Sequence, residues 1–550
     1  MAAGASAESE LRPQSRGRIA LTDVDVLVVG AGPTGLMLAN QLGRRGARTM
    51  IIDRHAGPAR ETRALGVQVR TLEIYAKLGI VGRALELGNI GTGANLWADG
   101  RWMARAPLSD AGEGVTPYPY ILVLGQDDNE RIMGERLQDW RLSVRWNTEL
   151  IGFEQHADHV TTTLRLPDGA TNQLTTAWVA GCDGARSFVR ERSGITFPGA
   201  PYEHVFFVAD TEATGSMVAD QVNIYLWRDG FHLFFPMRGK DHWRVVGILP
   251  GELRNRNDVG FDAVVPALRN EAGSALTFQS CSWFSTYRIH HRCASRFRER
   301  RCFLLGDAAH IHSPVGAQGM NTGLQDAYNL AWKLALVVGD RADSALLESY
   351  EHERLPVAQR LLDTTDRAFR LVVSDRWLAG LTRTRVLARL AAFALSRPRV
   401  QRFAFRTVSQ IGIHYRAGPL SESLGGLPDD APRGGDRFPW LRVKLTEGGP
   451  VTDLFEALDD LHFQLLVIGQ PAPVDWPPQV QSDRVRVHAI PADSANAAEL
   501  RRARVPVPSF YLLRPDGHVG LCGVHFDARA VDRYLSKRLA LRAEGLVSTQ

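Results

Sequence analysis

The sequence predicts a mixed α/β chain, and three features of its pattern carry that expectation. An apolar strand run, a glycine-rich turn and a helical run follow one another between Asp23 and Asp53. Short strands separated by turn residues replace this pattern from about Val205 to Leu249, as in an antiparallel sheet. Strands and helices interleave again after about residue 441.

Val24, Val26, Leu27, Val28 and Val29 form a short run of the kind that becomes a strand buried on both faces. Gly30, Gly32 and Gly35 follow, then Leu36, Met37, Ala39 and Leu42 recur at helical spacing until Gly46. Thr49 to Ile52 supply a second strand ending at Asp53, which completes a βαβ unit. Further on, Val222 to Trp227, Phe231 to Phe235 and Trp243 to Leu249 read as strands, separated by Arg228-Asp229-Gly230 and Arg238-Gly239-Lys240-Asp241. Strand signal returns at Cys302 to Leu305, and helical spacing runs from Gly319 to about Val338, with more helix through about Ile411. Gly418 to Pro439 is rich in Pro and Gly and reads as a linker. Beyond it, Phe463 to Ile468, Ser509 to Leu513 and His518 to Cys522 read as strands, with helices near Val451 to Leu458 and Ala528 to Leu539.

With 550 residues, 44% hydrophobic and 23% charged, the chain has the make-up of a multidomain soluble protein. Disordered, collagen-like and disulfide-stapled classes are excluded. Its 65 basic and 60 acidic residues leave a net charge of only +5, too dilute to suggest a nucleic-acid partner. Cys182, Cys281, Cys293, Cys302 and Cys522 show no CxxC or CxxxxC spacing, so neither a disulfide framework nor a zinc site is expected. A reducing cytoplasm fits this cysteine usage. Residues 1–22 lack the apolar core of a signal segment, and nothing later reaches the roughly 18 uninterrupted apolar residues of a membrane span. A disordered tail and no membrane partner are expected.

Gly30-Ala31-Gly32-Pro33-Thr34-Gly35 sits between a strand and a helix, with Asp53 about 20 residues further on. Gly30 permits the tight turn, Gly32 lets the backbone approach a pyrophosphate, and Gly35 lets helix pack closely on strand. The helix start offers unpaired N–H groups to phosphates, and Asp53 would accept ribose hydroxyls. This predicts a dinucleotide site and leaves NAD and FAD both open.

Two later segments bear on that choice. Gly181-Cys182-Asp183-Gly184-Ala185-Arg186-Ser187 and Gly306-Asp307-Ala308-Ala309-His310 resemble two further fingerprints of class A flavoprotein monooxygenases, the single-component FAD-dependent aromatic hydroxylases. Ser313-Pro314-Val315-Gly316-Ala317-Gln318-Gly319-Met320-Asn321 is similar to the segment that runs under the flavin ring in that family, where glycine is common at the place of Ala317. Arg514-Pro515-Asp516-Gly517 resembles the thioredoxin-like appendage of the phenol hydroxylase branch.

The resemblance implies an FAD-binding Rossmann-like (GR2-type) domain over residues 23–90, 110–200 and 290–415. It implies an inserted antiparallel β-sheet substrate domain over 91–109 and 201–289, a linker over 416–440 and a thioredoxin-like α/β domain over 441–550 without a CxxC pair. It further implies FAD contacts from Asp53, Arg54, Arg63 or Arg70, Gln126, Pro314, Gly319, Met320 and Asn321, with Asp307 on the ribityl hydroxyls. The Asp183-Gly184 pair is expected to serve both FAD and the nicotinamide donor, NADPH or NADH.

The implied reaction is hydroxylation of a phenolic or polyketide substrate by O2 through a flavin C4a-hydroperoxide, in a pocket that excludes water. Tyr225, His232, Arg228 and Arg244 are candidates for activating the substrate, and Phe231, Phe234, Phe235 and Met237 for lining its pocket. Alternating aromatic and basic residues on strands equally describe one core face and one wet face. His310 and His312 invite a metal reading that no accompanying ligand set supports. Baeyer-Villiger or epoxidising oxygen insertion and a non-catalytic flavin-binding role are the alternatives, and a monomer or homodimer is expected.

Overall fold

The computed structural model describes residues 23–542, apart from 60–63, 99, 228–229, 255, 257, 273–274, 313–317, 373–392, 395 and 472–483. The chain opens with β1 (Val24–Val29), α1 (Pro33–Gly43), β2 (Thr49–Ile52) and α2 (Val69–Leu78). Val26, Leu27 and Val28 are fully buried, as a strand covered on both faces requires. Pro33 opens α1, where its missing N–H costs nothing. β3 (Gly93–Ala98) and β4 (Arg101–Pro107) form a hairpin, α3 (Gln126–Leu137) follows, and β5 (Thr171–Gly181) returns beside β1. Next come β6 (Gly199–Thr214), β7 (Val222–Trp227), β8 (Gly230–Pro236), β9 (His242–Ile248), α4 (Phe261–Ala272) and β10 (Thr277–Cys293). β11 (Cys302–Leu304), α5 (Gly319–Val338), α6 (Glu348–Val372) and α7 (Pro398–Val408) lead to the carboxy-terminal part.

In the first sheet β11, β5, β1 and β2 lie side by side and parallel. The register sets Val29 against both Gly181 and Ile52, and Gly181 against Leu304. Four strands therefore end level, and the turns after Val29, Gly181 and Leu304 leave from one carboxyl edge. Ligands of open parallel sheets bind at such an edge.

The second sheet runs β10, β6, β9, β8, β7, β3, β4, with His310–Ile311 paired onto β10. This pairing joins it to the end of the first sheet. Trp97, Phe207, Tyr225, Phe234 and Trp243 point to one face and pack with Phe261, Val264 and Leu268 of α4.

The third sheet has the order β12 (Glu422–Ser423), β16 (Val519–Gly523), β15 (Ser509–Leu513), β13 (Phe463–Ile468), β14 (Val485–Ile490). One of its faces closes a small core around Leu466, Tyr511 and Leu513, while Leu465, Val467 and Leu512 join the main core. The stretch 416–440, expected to be a linker, is built into this unit. It supplies β12, the Gly435 N–H donates to the Val519 carbonyl, and Arg437 reaches Glu73 of α2. Val451 to Leu458, expected as helix, holds a strand at Val451–Asp453 and a single turn at Leu454–Ala457, begun by the Asp453 carboxylate accepting the Phe455 N–H.

Charged side chains fill the seam between this unit and the rest. Glu353 of α6 accepts from Lys333 of α5 at 2.8 Å and from Arg514 at 2.5 Å, and Arg514 also pairs with Asp516. Burial opposes ionisation of Glu353, yet the charges of Arg514 and Lys333 outweigh it and hold the carboxyl down at about 2. No helix among the described residues is long and apolar enough to cross a membrane.

Candidate functional site

The turn after β1 shows why its glycines are glycine. Gly30 has φ +103°, and a Cβ there would lie 2.3 Å from the Cys182 carbonyl oxygen. A Cβ on Gly35 would lie 1.9 Å from the Gly30 oxygen, so α1 sits directly on the turn. A Cβ on Gly32 would meet no protein atom within 4 Å. The space over Gly32 is therefore open, and α1 starts there with no side chain capping its N–H groups.

Asp53 braces this turn. One carboxylate oxygen accepts the Ala31 N–H at 2.7 Å, and the other accepts the His55 N–H at 2.9 Å and meets His55 Nδ1 at 2.7 Å. Arg54 beside it is exposed. A cavity of about 1030 Å³ opens next to the turn, lined by Ala31, His55, Ala59, Glu130, Arg131 and Trp146 among others. Gln126 is not among the lining residues; its amide donates to Glu130, which is, at 2.8 Å. Burial raises the Glu130 carboxyl. Arg131 and Trp146 escaped the sequence reading, although Arg131 stands only five residues after Gln126.

At the end of β11, Asp307 is exposed between buried Gly306 and Ala308. Asp183, after β5, accepts from the Ser187 hydroxyl at 2.6 Å and the Val189 N–H at 3.1 Å, and so caps the short helix Phe188–Arg192; Gly184 follows it. α5 begins at Gly319 without a side-chain cap among the described residues, and the positive end of this 20-residue helix lies at the same edge. Asn321 fixes that end in place: its side chain accepts from the Gln68 N–H and the Thr71 hydroxyl and donates to the Gly66 carbonyl. The Met320 sulfur accepts from the Asn129 amide at 3.3 Å.

Asp326 of α5 ties the Gly306–His310 turn down. It accepts from the Gly306 N–H at 3.1 Å, meets His310 Nε2 at 2.7 Å and takes Arg354 Nε of α6 at 2.6 Å. Burial opposes its charge, but Arg354 and His310 win and hold Asp326 below its ordinary value. His310 is thus part of an ion network; among the described residues no group of three or more His, Cys, Asp or Glu is arranged to hold a metal.

Several expectations need correction. Register places Tyr225 opposite His232 on the face of the second sheet that α4 covers. Tyr225 stacks on Trp97 at 5.4 Å and His232 on Trp227 at 5.5 Å, so both side chains are packing groups in a closed core. Phe234 lies there too. Alternation sends Arg244 to the opposite face, where it pairs with Asp210 and lies 5.4 Å from the Trp283 ring centroid. Phe231 and Phe235 share that face by register, with half-buried Ile224, Leu226 and Leu233. Arg70 does not reach the turn at Gly30: it pairs with Glu73 and donates to the Asp516 carbonyl in the domain seam. Arg63, Arg228 and Pro314 lie outside the described residues.

The open space at Gly32, two uncapped helix starts and the exposed Asp307 carboxylate form a donor and acceptor set along one sheet edge that fits a flavin dinucleotide. Comparison with known proteins agrees. Residues 23–365 match the FAD binding domain family model. The chain is 36% identical over 407 residues to the 6-methylpretetramide 4-monooxygenase of Streptomyces rimosus, covering 73% of this chain and 71% of that protein. It is 33% identical over 505 residues to the rifampicin monooxygenase of Streptomyces venezuelae, covering 91% and 95%. Its fold is similar to that of the anhydrotetracycline hydroxylase OxyS from Streptomyces rimosus, with a TM-score of 0.75 at 28% identity over 94% of this chain and 100% of that one.

Proposed function

The chain belongs to the FAD binding domain family, and we propose that within it the protein hydroxylates a fused-ring, polyketide-like phenol. It is an FAD-dependent aromatic monooxygenase. Bound FAD supplies acceptance of two electrons from NAD(P)H and activation of O2 for insertion of one oxygen atom. The chain's own residues do the rest.

The N–H groups at the start of α1, reached over Gly32, would hold the pyrophosphate, and Asp307 would accept the ribityl hydroxyls. The amino end of α5, held by Asn321, would face negative charge on the reduced ring. On the second sheet we assign the face away from α4 as the wall that excludes water from the aromatic substrate, with the Arg244–Asp210 pair at its border. Tyr225 and His232 serve only to support that sheet from behind. The substrate reading is supported by the breadth of this half-buried apolar face and by the polycyclic compounds named for the relatives.

The third sheet is read as a thioredoxin-like unit: β13 pairs with β14 in parallel and with β15 antiparallel, and its lone Cys522 is buried without a second thiol. Its role is structural, in a monomer or homodimer. The observation that carries the assignment is the convergence of the turns after Val29, Gly181 and Leu304 with the start of α5 on one sheet edge. The test is to offer the purified yellow protein NAD(P)H, O2 and a panel of simple and polycyclic phenols. Donor oxidation should accelerate with polycyclic phenols, and products should gain one oxygen atom. Oxidation indifferent to every phenol would overturn the proposal.

A further inference from the structure

A second large cavity, about 890 Å³, lies between α7, the stretch that holds Ala111, Gly114 and Val115, and the carboxy-terminal unit. Arg399, Arg402 and Arg406 line it, and their spacing of three and four residues puts them on one face of α7. Among the described residues the ion pairs around this groove join Arg416 to Asp436, Arg437 to Glu73, Arg502 to Glu499 and Arg504 to Asp430, and none takes up the three arginines of α7. The carboxylates present are thus already engaged by other arginines or open to solvent, as Asp429 is. Partial desolvation and then Arg437, Arg504 and Arg416 hold the Arg406 guanidinium below its ordinary value against the pull of Asp436. His414 also lines the groove, and its buried Nδ1 has no hydrogen-bond partner.

The groove shares a wall with the cofactor edge. Ile411 lines it, and the preceding Gln410 donates to the Thr322 hydroxyl at 3.0 Å and approaches the Gln318 carbonyl at 3.4 Å, both at the start of α5. The monooxygenase reading requires a nicotinamide donor, and the chain contains a single GxGxxG turn, which the FAD reading already uses. Arg402 Nε donates to the Pro398 carbonyl, which leaves its two terminal nitrogens for a ligand. Three guanidiniums on one helix face with no carboxylate partner among the described residues match a ligand with several phosphates, because planar N–H forks bind phosphate oxygens in pairs.

We propose that this groove is a second nucleotide site, which takes the 2′-phosphorylated adenosine end of NADPH on Arg399, Arg402 and Arg406. The proposal rests on the monooxygenase reading and deepens it, by assigning NADPH over NADH. The experiment titrates the FAD-loaded enzyme calorimetrically with adenosine 2′,5′-bisphosphate, 5′-AMP and inorganic phosphate. The same titrations are run on the Arg402→Gln/Arg406→Gln double variant, with flavin absorbance and thermal unfolding checking that it is folded. The bisphosphate should bind the natural enzyme about tenfold or more tighter than phosphate or 5′-AMP, and the double variant should lose about tenfold or more of that affinity. KM for NADPH should rise in parallel and more than KM for NADH. Bisphosphate affinity unchanged in the variant overturns the groove, and phosphate binding as tightly as the bisphosphate reduces it to a generic anion site and overturns the nucleotide assignment. A folded variant that NADPH still reduces with unchanged KM sinks the groove and leaves the monooxygenase reading standing. A natural enzyme that no nicotinamide reduces sinks that reading instead.

Discussion

Gly32 and Gly35 stand three residues apart, and the surroundings of their α-carbons separate ligand binding from folding. A methyl group at Gly35 would collide with the Gly30 carbonyl, an overpacking cost of about 3 kcal/mol or more. A methyl group at Gly32 meets only the open space assigned to the pyrophosphate. Gly32→Ala is therefore expected to fold normally, to lose FAD on gel filtration and to unfold at the temperature of the FAD-free natural protein; Gly35→Ala, compared in the same FAD-free state, is expected to unfold several degrees lower. Equal unfolding temperatures for the two variants would contradict this division. The roles of Gly30, Gly32 and Gly35 were legible in the sequence because strand, turn and helix lie within thirty residues of one another. The side to which His232 and Tyr225 point was not, because α4, which covers them, comes some thirty residues later and nothing in the β7–β8 pattern announces it.

At the scale of elements, the three chemistry-bearing turns are held level by the parallel register of β11, β5, β1 and β2, and one of them is clamped from α5 and α6 by Asp326 and Arg354. Removing the Asp326 charge leaves the Arg354 guanidinium buried beside a neutral group. Asp326→Asn should cost about 3–5 kcal/mol. Denaturant unfolding measures that loss, and a change below about 1 kcal/mol would mean that the clamp contributes little. The sequence announced β1, β2, β7, β8 and β9 through local apolar runs, and α5 through its helical period. It did not announce β10, whose segment Thr277–Cys293 mixes aromatic, hydroxyl and basic residues and becomes a strand by pairing with β6 some seventy residues earlier. Long-range pairing of that kind leaves no periodic trace.

For the whole molecule, the deciding feature is the charged seam. Lys333 of α5 and Glu353 of α6 are both fully buried against Arg514. The Glu353 carboxyl titrates near 2 in the folded protein, against an ordinary 4.5. The folded state therefore binds its proton less readily than the unfolded chain does. The stabilisation it brings is complete above pH 4.5 and is lost as pH falls toward about 2. Trp332, whose ring meets Phe463 edge-on at 5.9 Å across this seam, reports on it. An acid titration followed by tryptophan fluorescence should show a transition in that window that Glu353→Gln removes or shifts; a natural protein with a flat profile down to pH 2 would refute the assignment. The same seam limits how the chain can be recombined. A chimera that grafts the carboxy-terminal unit of a relative onto residues 23–415 of this protein inherits Lys333 and Glu353, and it will assemble only if the donor brings a counterpart to Arg514. The two parts are interlocked by ionic complementarity, so they must be exchanged as matched halves.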